Sequence, residues 1–148
     1  MPTASVPEVF TLEAVNALVP RLNAVVGKQL ARRADIEGRL KRLCELTGQS
    51  PDDLDPLPDD EPAVVALKEE LAECVSAYQA GWHELEQLGA VLKDPRIGLL
   101  DFHGTVEGKR VWLCWKYGEE EVGHYHGLDE GFASRKPIDQ AVKRRLLN

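Results

Sequence analysis

The stretch GKRVWLCWKYGEEEVGHYH, Gly108 to His126, decides the fold, because hydrophobicity there alternates every second residue, whereas residues 10–91 repeat at three and four. Val111, Leu113 and Trp115 fall on one face of a strand, and Trp112, Cys114 and Lys116 on the other. Upstream, Leu100 and Phe102 alternate with Asp101 and His103, and Glu107-Gly108 has the chemistry of a tight turn. Downstream, Tyr117-Gly118 interrupts the pattern and EEVGHYH resumes it. The expectation is a three-stranded antiparallel β-meander with a C-terminal strap over residues 98–138, followed by a short tail in which Asp139 caps a helix and Val142 and Leu146 dock.

Residues 10–91 read as a long antiparallel helical hairpin, giving an α+β fold and one domain over 1–148. Thr11 is the N-cap of the first helix, and Phe10 is placed to staple onto Val15. Pro20 predicts a kink or a new segment. Leu22, Val26, Ile36, Leu40 and Leu43 continue the apolar stripe, interrupted by Gln29 and Arg33, and Gly48 ends the helix. The second helix runs from about Pro62 to Leu88 and carries Val64, Leu67, Leu71, Cys74, Tyr78, Trp82, Leu85 and Leu88 on its core face. Between them the acidic, proline-rich residues 48–62 read as a mobile, solvated loop. Basic residues dominate the first helix and acidic residues the second, which favours their pairing. Two amphipathic helices leave a stripe for the sheet or a second copy to cover, so a homodimer is expected.

The net charge of -7 opposes phosphate binding, and no aromatics interleave the arginines of the first helix, so nucleic acid is not expected as a partner. Neither a membrane span nor a charged leader with an apolar run after Met1 is found, and three scattered cysteines form no disulfide framework. A cytoplasmic protein with reduced thiols is expected.

The strings FTLEAVNALVP, LGAVLKDPRIGLLDF, GKRVWLCWKYGE and HGLDEGFASRKPI, in that order, resemble the uncharacterised prokaryotic family called domain of unknown function 2203. The likeness runs from Phe10 to Ile138 and includes Lys93, Asp94, Asp101, Phe102, Cys114, Trp115, Glu119, His126, Phe132 and Arg135 among the motif positions. It implies a helical N-terminal half and no established activity. His103 and Gly127 stand where the family pattern carries a proline and an acid, and His124 belongs to none of its motifs.

Three readings compete for the hairpin corner. In the first, His124 and His126, with Glu130 at a following spacing, hold a divalent metal such as zinc, in a metal-binding protein or enzyme. Whether Cys114 joins them depends on register. A Lys116-Tyr117-Gly118 loop pairs Arg110 with His124 and leaves the thiol roughly 13 Å from that histidine at about 3.3 Å per residue. A loop from Tyr117 to Glu119 pairs Trp112 with His124 and leaves Cys114 on the diagonal, about 7 Å off. An even-length loop turns Val122 and both histidines onto the Leu113 face.

In the second reading Cys114 is a nucleophile with His126 as base, oriented by Asp101 or Glu119. Asp101 sits opposite Cys114 if Glu107-Gly108 is a two-residue loop, and a carboxylate there opposes the thiolate this chemistry requires. The third reading is a non-catalytic interaction or structural module. Trp112, Trp115, Tyr117 and Phe132 form an aromatic surface, Asp129 accepts backbone donors in the strap, and Arg135 clamps a carboxylate, with Asp101 as first-choice partner and Glu119 and Asp129 completing the ion pairs. Asp101, Trp112, Cys114, Trp115, Glu119, His126, Asp129 and Arg135 are then the interaction residues. This third reading is the one preferred on sequence.

Overall fold

The computed structural model describes residues 8–146, with side chains as far as Lys143. Helix α1 spans Leu12–Thr47 and α2 spans Pro62–Gln87, and no helix among the described residues is long and apolar enough to cross a membrane. Strands β1 (Val91–Asp94), β2 (Leu99–Val106), β3 (Lys109–Lys116), β4 (His124–Gly127) and β5 (Lys136–Pro137) form one antiparallel sheet in sequential order. A short 3-10 turn, Phe132–Ser134, precedes β5, and α3 spans Gln140–Leu146. The α+β architecture is as expected, but the sheet has five strands where three were expected. The two additional strands are edge pieces of four and two residues, too short for period-two alternation to register.

The caps follow sequence chemistry. Thr11 accepts the Ala14 N–H at 3.1 Å, Gly48 closes α1 at φ 78°, and Asp139 Oδ1 accepts from Val142 N at 2.9 Å. The docking expected of Leu146 lies outside the described side chains, whereas Val142 is buried. Phe10 donates its N–H to His103 O and sets its ring edge-on to Phe102, tying the entry of α1 to β2. Pro20 lies inside one continuous helix and opens no second segment. Glu107 and Gly108 both have positive φ, 53° and 79°, as a two-residue turn matching the right-handed strand twist requires.

Two apolar clusters divide the hairpin. Near the sheet, Val15, Val19, Leu22 and Val26 of α1 and Leu85 of α2 pack with Leu100, Phe102, Leu113 and Trp115. At about 1.5–3 kcal/mol for each large side chain buried, this is the dominant stabilising contact. At the far end Leu43, Val64, Leu67 and Leu71 pack among themselves, with Leu54 of the connecting loop against them. The sheet therefore covers one half of the stripe, and the loop helps to cover the other.

Between the clusters lies a polar belt, which is why Gln29 and Arg33 interrupt the stripe. Gln29 is fully buried, donating to Tyr78 O at 2.5 Å and accepting from Arg32 at 2.7 Å, while Arg33 reaches the Tyr78 hydroxyl. Cys74, expected in the core, is only half-buried in this belt with its thiol on Asp35 Oδ2. Arg39 joins Asp35 to Glu70 across the hairpin, and Arg21 meets Glu84, both exposed pairs worth little individually.

The connecting loop is largely exposed, as a solvated segment is, but it is fastened at one point. Lys68, 5% exposed, bonds Asp60 Oδ2 at 2.7 Å and Asp55 O at 3.3 Å, and the same Asp60 oxygen accepts the Leu57 N–H. The Leu57 N–H first, and Lys68 second, hold the Asp60 carboxyl below the usual carboxylate range. An acidic, proline-rich composition concealed one buried lysine that gathers the loop.

A Cβ on Gly81 would stand 2.3 Å from Gln29 Oε1, whereas one on Gly38 meets nothing within 4 Å. Gly38→Ala is expected to stabilise by about 0.5–1 kcal/mol through helix propensity. Gly81→Ala is expected to destabilise by about 1–3 kcal/mol despite the same propensity gain, because the buried amide must abandon its bonds. Urea unfolding of the two variants checks the opposite signs.

Candidate functional site: a buried Asp–Cys–His cluster

The register of β2 on β3 pairs Asp101 with Cys114, and that of β3 on β4 pairs Cys114 with His124 and Trp112 with His126. All of these side chains share the face of the sheet opposite the main core. Asp101 and His126 reach each other across β3, His126 Nε2 lying 2.8 Å from Asp101 Oδ2. The ligand atoms of Asp101, Cys114 and His126 all lie within 4.8 Å of one another, and the three residues are 1%, 0% and 3% exposed.

The register differs from each one considered on sequence. β3 and β4 are joined by a long connection, residues 117–123, which sets His124 opposite Cys114 and His126 on its diagonal, within reach of the thiol. That connection is fastened to α1. Asn16 Oδ1 accepts from Val122 N at 2.7 Å, Asn23 Oδ1 accepts from Gly118 N at 3.1 Å, and Asn23 Nδ2 donates to Glu119 O at 3.3 Å. Asn16 and Asn23 are two turns apart and so share a helix face. Their spacing is the sequence signal that was missed. Trp115 also donates to Glu119 O, at 3.1 Å, from inside the core.

Protonation follows from the partners. His126 Nδ1 lies 3.0 Å from Gly127 O, a group that only accepts, so Nδ1 carries the proton. Nε2 and Asp101 Oδ2, both acceptors without a further proton, then need one proton between them. Asp101 Oδ1 is buried and receives no N–H or O–H, while the Cys114 thiol meets the same carboxyl. Burial raises the Asp101 carboxyl, and the His126 charge opposes that rise. Burial, and next the Asp101 carboxylate, push the Cys114 thiol up to about 12, with Arg135 acting the other way. A thiol so placed stays protonated at neutral pH, so the geometry gives the nucleophile reading no support.

Arg135 completes the corner. Its guanidinium meets both oxygens of Glu119, at 3.4 and 3.3 Å, lies 3.9 Å from Cys114 Sγ and stacks on Phe132 at 4.5 Å. The clamp expected of Arg135 is present, but its partner is Glu119, while Asp101 belongs to His126. His124 Nδ1 lies 3.8 Å from Glu119 Oε2. Glu130 accepts the Gly127 N–H at 2.9 Å, taking the turn-closing role expected of Asp129. The structure therefore groups His126 with Asp101 and Cys114, not with His124 and Glu130. Nor do the aromatics form one surface. Trp115 is fully buried on the opposite face, Trp112 lies beneath Lys93 and against His103, and Tyr117 and Phe132 are exposed.

Fold and cluster together define an α+β protein in which a helical hairpin backs a five-stranded antiparallel sheet with a closed Asp–Cys–His group on its far side. The model of the family described as "Uncharacterized conserved protein (DUF2203)" matches residues 8–138. The chain belongs to that family. No curated protein and no solved structure matches it.

Proposed function

We propose that this protein is a non-catalytic interaction module that works as a homodimer joined through its helical hairpins. The seclusion of Asp101, Cys114 and His126 supports binding over catalysis, since a substrate has no approach to donors exposed by 3% or less. One observation carries the self-association. A shallow groove of about 330 Å³ runs along the hairpin, lined by Ala77, Ala80 and Gly81 of α2, with Lys28 and Arg32 of α1 on one side and Glu84 on the other.

Small side chains let a second helix approach closely, and a two-fold axis across the groove would bring Lys28 and Arg32 of each copy toward Glu84 of the other, an exposed acid that Arg21 meets within its own chain. The occupant that fits is a second copy of this chain. Light scattering should then return twice the 16.5 kDa chain mass, with dissociation favoured by added salt. Ala80→Arg, an exposed position where arginine keeps good helix propensity, should give the single-chain mass with unchanged helicity. A wild-type protein of one chain mass at micromolar concentration would overturn the reading.

A further inference from the structure

We infer that Asp101, Cys114 and His126 form a structural zinc site that fastens β2, β3 and β4 together, one ligand from each strand. The inference does not depend on self-association. A carboxylate, a thiolate and an imidazole are a donor set suited to zinc, whose bonds to these atoms run about 2.0–2.3 Å. Two ligands of a tetrahedral zinc ion stand roughly 3.3–3.6 Å apart at those lengths. The 2.8 Å between His126 Nε2 and Asp101 Oδ2, and the 4.8 Å limit that encloses all three donor atoms, bracket that spacing.

Three further features point to an ion. The Asp101 carboxyl, whose Oδ1 receives no N–H or O–H, meets the Cys114 thiol, so oxygen and sulfur already face each other across the β2–β3 pair. His126 donates Nδ1–H to the Gly127 carbonyl, the outer-shell bond that fixes a ligating imidazole with Nε2 free to coordinate. Arg135 Nη1, 3.9 Å from Cys114 Sγ and paired to Glu119, supplies an N–H donor to a thiolate without adding net charge.

Charge balances as well. As Zn²⁺ enters, two protons leave: the Cys114 thiol proton and the one held between Asp101 and His126. A dipositive ion with carboxylate, thiolate and neutral imidazole then leaves the buried group neutral, as it was before. One Asp101 oxygen, Cys114 Sγ and His126 Nε2 give three donor atoms, one per residue, and a tetrahedral ion would take its fourth ligand from water. Seclusion suits such an ion, which enters as the chain folds.

Refolding the full-length chain, freed of metal by a chelator and carrying no histidine tag, in the presence of cobalt(II) tests this directly. Expected are one equivalent of cobalt per chain, the intense visible bands of tetrahedral cobalt and a thiolate-to-cobalt charge-transfer band, all displaced by zinc. Cys114→Ser should abolish the charge-transfer band. His126→Gln should weaken binding by more than the roughly 10- to 100-fold that loss of an outer-shell partner costs. His124→Ala and Glu130→Ala should leave both signals intact. A folded wild-type chain that binds cobalt without a charge-transfer band, or not at all, overturns the proposal without recourse to any variant. So does a signal that survives Cys114→Ser or disappears in His124→Ala, the latter favouring the His-x-His set.

Discussion

Asp101→Ala is expected to lower the stability of the metal-free protein by about 3–5 kcal/mol, the range for breaking a buried charged pair from one side. His126 keeps its Gly127 bond but loses the acceptor 2.8 Å from Nε2, and the imidazole is left in a site 3% exposed. Against a typical total of about 5–15 kcal/mol, such a loss takes between about a fifth and all of the stability. Asp101→Asn separates the causes. Its amide N–H can donate to Nε2 of the neutral imidazole, so a loss nearer the roughly 0.5–1.5 kcal/mol of one altered hydrogen bond is expected. Urea unfolding followed by circular dichroism gives both numbers. An alanine variant as stable as the wild type would show that the pair does not hold the sheet.

The second large effect lies at alkaline pH. In the metal-free protein the folded Cys114 thiol is pushed up to about 12 from an ordinary value of 9.0, so between those limits the unfolded chain has lost a proton that the folded chain retains. This contribution to stability is fully present below pH 9.0, declines above it, and is gone once pH passes through about 12. The slope is about 1.4 kcal/mol per pH unit and the full span about 4 kcal/mol. Other groups titrate in the same range, so the measurement is the difference between wild type and Cys114→Ala in urea midpoints from neutral pH upward. Curves converging as pH rises above about 9 are expected. Parallel curves would mean that the thiol ionises in the fold as it does in water.

Local chemistry was legible in the chain and long-range registration was not. Thr11, Gly48, Pro62 and Asp139 mark helix ends by side-chain or backbone effects that act within one turn, and the structure places caps or first turns at each. The Glu107-Gly108 turn fixed the β2–β3 register, so the opposition of Asp101 and Cys114 followed from residues a few positions away. The β3–β4 register had no such marker. It is set by asparagines of α1 that hold residues 118–122 from about a hundred positions upstream, and no reading of loop length supplies that information. His124, opposite Cys114 in the structure, was consequently expected at a distance from it or on its diagonal. Lys68 shows the same limit: one lysine in an apolar stripe looks like a surface charge until the loop folds over it.

The dependence on Asn16 and Asn23 has a consequence for assembly. Residues of the sheet that meet only in the observed alignment are brought there by a scaffold translated long before them, so closure of the cluster belongs among the late, high-contact-order steps of folding. A peptide comprising the sheet alone contains every cluster member but lacks the template that sets the strand offset, and the same residues would sample the alternative offsets unguided.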